Sequence, residues 1–160
     1  MAYTVVRTDN LTGITDGSKI LSVKFYKDAA PAAVENGTVC KITGVEATPD
    51  RQVFKVEAGV DAAALASAKA VLIAAPELIK DRKYNALDEY INGADEIVRA
   101  YVLEAGDEFS VTAEGISGTV AAGATLAAGT DGKLTAGEGF LEVVKTETVG
   151  SKKYYVIRVS

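Results

Sequence analysis

Two adjacent carboxylates are the residues of this sequence that come closest to a chemical motif. Asp107 and Glu108 lie in the stretch AGDEFSVTAEG, after a glycine turn and before an apolar strand. A pair of acids hydrolyses a glycosidic bond only when the two carboxyl groups face each other across a cleft. Neighbours on a strand point to opposite faces of the sheet, so we interpret Asp107 and Glu108 as turn and strand-edge residues. The sequence leaves open whether other acids meet in the folded protein.

The side chains that most often carry catalysis are nearly missing from the composition. The 160 residues include no histidine and one cysteine, which excludes histidine-dependent triads and ordinary zinc sites. No G-x-x-x-x-G-K-[ST] loop occurs, and the turns DGSK, TDGKL and EAGDE lack the alternating oxygen ligands of a calcium loop. We therefore predict no catalytic residue, no cofactor, no metal ion and no enzyme activity. Cys40, in the apolar run TVCKI, is interpreted as a small core residue.

Charge and hydropathy limit the partners. The chain has 22 acidic and 17 basic residues, a net charge of -5, and its basic residues are scattered. Nucleic-acid binding requires clustered Lys and Arg, and an anionic membrane repels a net negative protein, so we expect neither partner. The opening MAYTVVRTDN has no apolar signal core, and no run approaches about 18 apolar residues. With a single cysteine, this pattern predicts a protein made and folded in a reducing cytoplasm.

Alternating apolar residues and dense turns predict strands along most of the sequence. ILSVKFYK places Leu21, Val23 and Phe25 on one face, and TVCKITGVE and RQVFKVEAG are two further strand-like runs. The first residues, AYTVVRT, are interpreted as a strand or an extended arm. After Gly93 short apolar runs alternate with frequent glycine, which is typical of a small barrel or sandwich. FLEVVKTET and KKYYVIRV are expected to pair across VGS.

Two segments have helical character. In DAAALASAKAVLIAAP, Asp61 and the alanines favour a helix, whereas AVLIAA before the proline favours a buried strand. We predict a short helical turn from Asp61 to Ala68 and then a strand over Val71 to Ala74. PELIKDRKYNALDEYING begins with proline and glutamate and repeats apolar residues at spacings of four and eight. This pattern predicts a helix that ends at Asn92-Gly93.

These patterns together predict an α+β fold class, mainly β with one or two short helices. The C-terminal part is expected to be a small β-barrel or sandwich-like unit. The change of texture at Gly93 suggests two parts, although no flexible linker marks the boundary. Residues 1–92 would form a β-rich part with an extended arm and a short helix, and residues 93–160 would form the small barrel-like part.

Tyrosine is the prominent aromatic residue, with seven Tyr and no Trp. Tyrosine is enriched where a surface is both apolar and wet, as at protein interfaces. We expect most of these side chains to be half-buried members of the core and about two or three to lie at an interface. The candidates are Tyr3, Tyr26, Tyr84, Tyr90, Tyr101, Tyr154 and Tyr155.

A succession of turn-and-strand phrases runs along most of residues 35–160. It comprises ENGTVCKITG, AAPEL, DEYINGADEIVRAYVLEAGDEFSVTAEGI, the glycine-rich AAGATLAAGTDGKL and the closing YYVIRV. The succession resembles small structural proteins of tailed bacteriophages, the capsid decoration (cement) and head proteins. AAGATLAAGTDGKL is also similar in style to β-rich decoration proteins of the lambda type.

The resemblance implies a virion structural protein that binds the outer surface of the assembled capsid and stabilises it. Its partner would be the major capsid protein, and its location the capsid exterior after synthesis in the host bacterial cytoplasm. A homotrimer is one of the oligomeric states that the sequence leaves open. The N-terminal arm could add a strand to a neighbour's sheet edge. The predicted interface residues are Tyr3, Val5, Arg7, Tyr84 and Tyr90.

The alternative function is a carbohydrate- or cell-surface-binding β module displayed on the virion. Exposed coplanar aromatic rings in a groove would favour it, and the lack of tryptophan counts mildly against it. A soluble β domain of cellular origin also stays open on the residues alone.

Overall fold

The computed structural model describes residues 2–8, 19–47, 52–77 and 87–160. Its fold is mainly β, with 50% of these residues in strands and 9% in helical conformation. The predicted fold class, mainly β with a short helix, is confirmed. In sequence order the strands are β1 (Val6–Arg7), β2 (Ile20–Lys27), β3 (Ala30–Pro31), β4 (Val39–Val45), β5 (Val53–Ala58), β6 (Ala70–Ile73), β7 (Val98–Val102), β8 (Glu108–Thr112), β9 (Ile116–Ser117), β10 (Thr125–Ala128), β11 (Leu134–Ala136), β12 (Leu141–Val149) and β13 (Lys152–Val159).

One sheet curls into a ring. Its order is β3-β2-β5-β4-β6-β7, and β2 also pairs with β7, so five strands close on themselves with β3 attached to β2. The pair β2–β5 is parallel and the other ring pairs are antiparallel. Cys40 is fully buried in the cluster inside this sheet, and burial raises the pKa of its thiol far above the usual value. Its prediction as a core residue is confirmed.

The C-terminal strands form the second sheet. Its order is β1-β8-β13-β12-β10-β11-β9, with β9 and β11 parallel. The hairpin of β12 and β13 turns between Val149 and Lys152, as the VGS turn predicts. A single apolar cluster joins the two sheets, because Leu72 and Tyr101 of the ring pack with Phe109 and residues of the second sheet. The ring is therefore formed by residues 20–102, and the C-terminal strands form the open sheet that packs against it.

Each sheet takes one strand from the other side of residue 93. The strand β7 follows Gly93 but completes the ring, and β1 lies near the N-terminus but pairs with β8 in the second sheet. The chain therefore passes from the ring to the second sheet between Val102, the end of β7, and Glu108, the start of β8. The division into parts 1–92 and 93–160 stays a prediction about domains.

The short helix α1 (Ala62–Ala66) is capped at both ends. Asp61 Oδ1 accepts the N–H of Ala64 at 2.9 Å. At the other end the N–H groups of Ala68 and Lys69 donate back to carbonyls of the helix, which is the paired pattern of a Schellman motif. The strand β6 follows with every residue buried. The predicted order of helical turn and buried strand is confirmed.

The longer predicted helix is described only at its ends. Residues 78–86 lie outside the described residues, so the prediction there is untested. Residues 76–77 are irregular, Leu87–Glu89 is one 3-10 turn, and Asn92 forms an isolated antiparallel bridge with Val34. The helical prediction is therefore wrong at residues 76–77 and at its expected end, residues 90–93, whereas Leu87–Glu89 is helical in the 3-10 form. The apolar spacing carried no sign that Asn92 is a buried residue bonded to a distant segment.

The residue that ends α1 offers a test of the backbone. Ala68 has φ 56°, in the left-handed region. Ala68→Gly is expected to raise the free energy of unfolding by about 0.5–1 kcal/mol, because an L-residue costs roughly 1–2 kcal/mol there and glycine offsets part of this through its freer unfolded state. Ala66→Gly, inside the same helix, should lower it by up to about 1 kcal/mol. Urea denaturation measures both, and shifts of the same sign would contradict the cap.

Candidate functional site

The N-terminal arm is an edge strand in a sheet of its own molecule. Val6 lies opposite Val111, and the N–H of Thr112 donates to the carbonyl of Val5 at 3.1 Å. The N–H of Val5 in turn donates to Thr112 Oγ1, also at 3.1 Å. The stretch AYTVVRT, interpreted as a strand or an extended arm, contains the short strand β1, which covers the edge of β8.

A partly buried carboxylate holds the arm. Glu35 Oε2 accepts the N–H of Thr4 at 2.8 Å and its hydroxyl at 2.7 Å. Lys133 Nζ donates to both oxygens of the same carboxylate, at 2.9 and 3.0 Å. Glu35 precedes β4, and Lys133 belongs to the turn between β10 and β11, so this carboxylate joins the arm, the ring and the second sheet.

The surroundings of Glu35 perturb its ionisation in opposite directions. Burial alone would raise the pKa of Glu35, but the hydrogen bonds from Thr4 and Lys133 outweigh it and lower the pKa below its usual value. The hydrogen-bond donors that stabilise the ionised carboxylate therefore have a larger combined effect on its pKa than burial has.

Two glycines make room for the arm. A Cβ atom on Gly115 would lie 2.7 Å from Thr4 Cγ2, and one on Gly37 would lie 2.9 Å from the same atom. Gly37 also has φ +87°, which favours glycine. The arm thus rests in a groove where Gly37 and Gly115 lie closer to Thr4 than residues with a Cβ atom could.

The outer side of the arm bears the half-exposed residues Tyr3 and Arg7, and both make contacts within the molecule. The backbone N–H of Tyr3 donates to the carbonyl of Asp88 at 2.7 Å. The guanidinium of Arg7 lies 5.8 Å from the ring centroid of Tyr154 and 3.7 Å from a carboxylate oxygen of Glu147. This end of the arm therefore has its shape before any partner arrives.

Exposed apolar side chains adjoin the same place. Asp88 binds Lys152 Nζ at 2.5 Å, and this hydrogen bond lowers the pKa of Asp88. Lys152 lies opposite Val149 across the β12–β13 hairpin. Leu87, beside Asp88, and Val149 are 52% and 50% exposed. We call the whole region the arm surface, and its members are Tyr3, Arg7, Leu87, Tyr90 and Val149.

A buried amide network positions Tyr90. Asn36 and Asn92 are 1% and 0% exposed, and Asn92 Nδ2 donates to Asn36 Oδ1 and to the carbonyl of Val34, both at 3.0 Å. Asn36 also binds the N–H and the carbonyl of Ala75. The hydroxyl of Tyr90 donates to Asn92 Oδ1 at 3.1 Å. Burial, and then two nearby carboxylates, raise the pKa of Tyr90.

The predicted interface residues fall into three groups. Tyr3, Arg7 and Tyr90 are half-exposed on the arm surface. Val5 is only 5% exposed, so an intermolecular contact by its side chain would require the arm to leave the sheet. Tyr84 lies outside the described residues. Sequence reasoning missed Leu87 and Val149 as surface residues, because their patterns assign them to the apolar faces of a helix and a strand.

The adjacent acids have structural positions. Asp107 is 1% exposed, and its Oδ2 accepts the N–H of Glu104 at 2.8 Å. Its backbone carbonyl accepts the N–H of Val159 at the end of β13. Glu108 begins β8 opposite Arg158. Their prediction as turn and strand-edge residues is confirmed, although Asp107 is buried and not solvated.

Replacing the central carboxylate tests the role of Glu35. Glu35→Gln is expected to lower the free energy of unfolding at pH 7 by about 1.5–3 kcal/mol, because it removes charge-assisted hydrogen bonds. The folded pKa lies below the unfolded value, so this stabilisation is complete above the unfolded pKa of about 4.3 and is lost as pH falls through the folded pKa. Denaturant unfolding between pH 7 and about pH 3 should show the difference from wild type shrinking. Glu57→Gln, at an exposed site on β5, is the matched control, and an equal loss there would contradict the assignment.

The groove of the arm is tested by filling and then relieving it. Gly115→Ala should cost about 1–3 kcal/mol, because its methyl group would overlap Thr4 Cγ2. Thr4→Ser removes that methyl group and keeps the hydroxyl that Glu35 accepts. In the double variant more than half of the loss should return, as measured by urea denaturation. Simple additivity of the two changes would show that the arm does not occupy this groove in solution.

No protein-family model, no curated protein and no solved structure matches the sequence. Within the described residues, no helix is both long enough and apolar enough to span a bilayer. Over the same residues, no three or more Cys, Asp or Glu side chains gather in a way that could hold a metal ion. Function is therefore inferred from the residues and from the geometry of the arm surface.

Proposed function

We propose that this protein is a structural component of a tailed-phage virion, which binds the outer surface of the assembled capsid and stabilises it. The major capsid protein is its partner. The phrases that run along residues 35–160 support the phage assignment through their resemblance to decoration and head proteins. The observation that carries the proposal in the structure is the arm surface.

The arm surface has the composition of an interface core. Tyrosine and arginine are enriched among residues that dominate binding, and apolar side chains such as Leu87 and Val149 add area that a partner can bury. The side chains of Arg7 and Tyr90 are held by contacts within the molecule, and the backbone of Tyr3 is held by its bond to Asp88. Ordering a free side chain on binding costs about 0.5–1.5 kcal/mol, so residues that are already ordered bind at lower cost.

Stabilisation of the shell follows from where such a surface would dock. If the complementary site is complete only where capsid subunits meet, binding favours the assembled lattice over free subunits by mass action. Many copies on one shell strengthen the attachment through avidity. The protein would then be made in the host cytoplasm and act on the capsid exterior.

The carbohydrate-binding alternative has no comparable support among the described residues. Two adjoining clefts of about 130 and 300 Å³ share Phe25, Lys27 and Thr130. Phe25 is 8% exposed, and the hydroxyl of Tyr26 donates to Glu46. A sugar ring would find no open aromatic platform in either cleft, so this function is not carried further.

Co-sedimentation tests the proposal. Purified protein mixed with empty, expanded capsids of its own phage should pellet with them at micromolar concentration. The double variant Tyr3→Ala, Arg7→Ala should bind at least about tenfold more weakly, since each hot-spot truncation costs more than about 1 kcal/mol. Failure of the folded wild-type protein to sediment with capsids would overturn the function.

The matched control removes an arginine elsewhere. Arg99→Ala lies on β7, on the exposed surface of the ring, and should leave capsid binding unchanged. Thermal unfolding of each variant establishes that it is folded before binding is compared. If the double variant binds like the wild type while capsids still capture the protein, the capsid-facing surface lies elsewhere on the molecule.

A further inference from the structure

The outer edge of β12 has no partner strand among the described residues over its second half. The strand pairs with β13 along its whole length, but with β10 only at Leu141 and Glu142. The next residue, Val143, still exchanges backbone hydrogen bonds with Gly123 and Ala124. From residue 144 to residue 149, no described residue pairs with this edge. An open edge of this kind is a template for another strand.

The direction of the free backbone groups follows from a bulge. The N–H and carbonyl of Val143 point to the outer side, toward Gly123 and Ala124. The register of β12 against β13 then shifts by one residue between Val143 and Lys145. In an antiparallel strand, the backbone N–H and C=O groups of alternate residues point to the same neighbouring strand. The shift therefore turns the backbone groups of Thr146 and Thr148 outward. The backbone groups of Lys145 and Glu147 instead point toward β13.

The side chains of this edge favour a strand partner. The segment VKTETV consists of β-branched residues around one lysine and one glutamate, a composition with high strand propensity. Val144 and Val149 are 43% and 50% exposed. Lys145 Nζ lies 2.6 Å from a carboxylate oxygen of Glu147. The edge thus presents β-branched side chains and one charge of each sign.

We propose that a second copy of this protein pairs with the edge, β12 against β12 in antiparallel orientation, about a twofold axis at Thr146. Thr146 then lies opposite Thr146 of the second copy, and their backbone groups exchange two hydrogen bonds. Lys145 lies opposite Glu147 of the second copy, and the same pair recurs on the other side of the axis. Val144 lies opposite Thr148.

Charge selects this register. The outward backbone groups of Thr146 and Thr148 face outward backbone groups of the second copy only in registers that differ from this one by an even number of residues. A shift of two residues in one direction places Lys145 opposite Lys145 of the second copy. A shift of two residues in the other direction places Glu147 opposite Glu147 of the second copy. Like charges directly opposite destabilise a strand pair, and opposite charges stabilise it. Arg7, 3.7 Å from Glu147, adds a cation on the same face.

The fold also limits the length of the pairing. Gly123 and Ala124 occupy the edge at Val143, and the hairpin turn begins after Val149. Residues 144–148 of each copy therefore pair, a contact of roughly 16 Å at about 3.3 Å per residue. A contact this short gives a reversible, concentration-dependent dimer. The pairing residues 144–148 adjoin the arm surface, since Arg7 lies 3.7 Å from Glu147, so the dimer is tested on the free protein without capsids.

Charge reversal tests both the pairing and its register. Sedimentation of the wild type from about 1 µM to about 1 mM should show a shift from monomer to dimer. Lys145→Glu and Glu147→Lys, each alone, should weaken dimerisation about tenfold or more, because two like-charge pairs then face each other. An equal mixture of the two variants should recover dimers of mixed composition, identified by native mass spectrometry with one variant isotopically labelled.

Hydrogen exchange on the wild type provides a test that needs no variant. The amide of Thr146 should exchange rapidly at low concentration and become protected at high concentration. The amides of Lys145 and Glu147, which face β13, serve as the internal control and should be protected throughout. A wild type that stays monomeric or forms trimers, single variants that dimerise normally, a mixture without mixed dimers, or a Thr146 amide unaffected by concentration would each overturn the proposal.

Discussion

The carboxylate of Glu35 is the interaction on which the arrangement of the molecule depends. It accepts hydrogen bonds from the arm at Thr4 and from Lys133 in the second sheet, while its own backbone leads into the ring. A half-buried carboxylate without hydrogen-bond donors would destabilise the fold. The arm, the ring and the second sheet therefore stabilise one another's positions through Glu35. The groove at Gly37 and Gly115, which admits the arm without a side chain in the way, is the steric counterpart of this electrostatic constraint.

The amides of Asn36 and Asn92 have a similar role one layer away. They join the loop before β4, the end of β6 and the segment that leads to β7, and every one of these bonds is buried. Satisfied buried polar groups specify one packing, because any alternative leaves donors or acceptors without partners. The arm surface inherits its rigidity from both networks, since Thr4 anchors the residue beside Tyr3 and Asn92 anchors the hydroxyl of Tyr90.

The second sheet treats two of its edges differently. The edge of β8 is covered by the protein's own arm, with buried Val5 and Val6. No described residue pairs with the distal edge of β12, whose bulge lies at the start of this stretch and leaves the residues beyond it in regular pairing with β13. Proteins usually shield such edges with charges, proline or bulges. Here the two charges are of opposite sign and two residues apart, so they match a second copy of themselves.

Local signals in the sequence predicted local features correctly, whereas partners distant in sequence could not be predicted in this way. Asp61 before a run of alanines predicts the cap of α1, and the VGS turn predicts the β12–β13 hairpin, because capping and turn rules depend on neighbours within a few residues. Glu35, by contrast, meets Thr4 and Lys133 at separations of 31 and 98 residues. The apolar spacing before Asn92 predicts a helix, but a buried amide bond to a segment 58 residues away overrides it there. The closure of β7 onto β2 likewise has no local signature, because strand pairing is decided by which edges the packed core leaves available.

The sequence by itself determined the class of the protein: a β-rich polypeptide with few reactive side chains, a capped helical turn and a tyrosine-bearing arm. Only the tertiary structure decided that the arm covers its own sheet, that Val5 is buried while Leu87 is exposed, and that no described residue pairs with the distal edge of β12. The physical reason is that composition and period state which residues avoid water, whereas strand order and register decide which of them find a partner within the molecule.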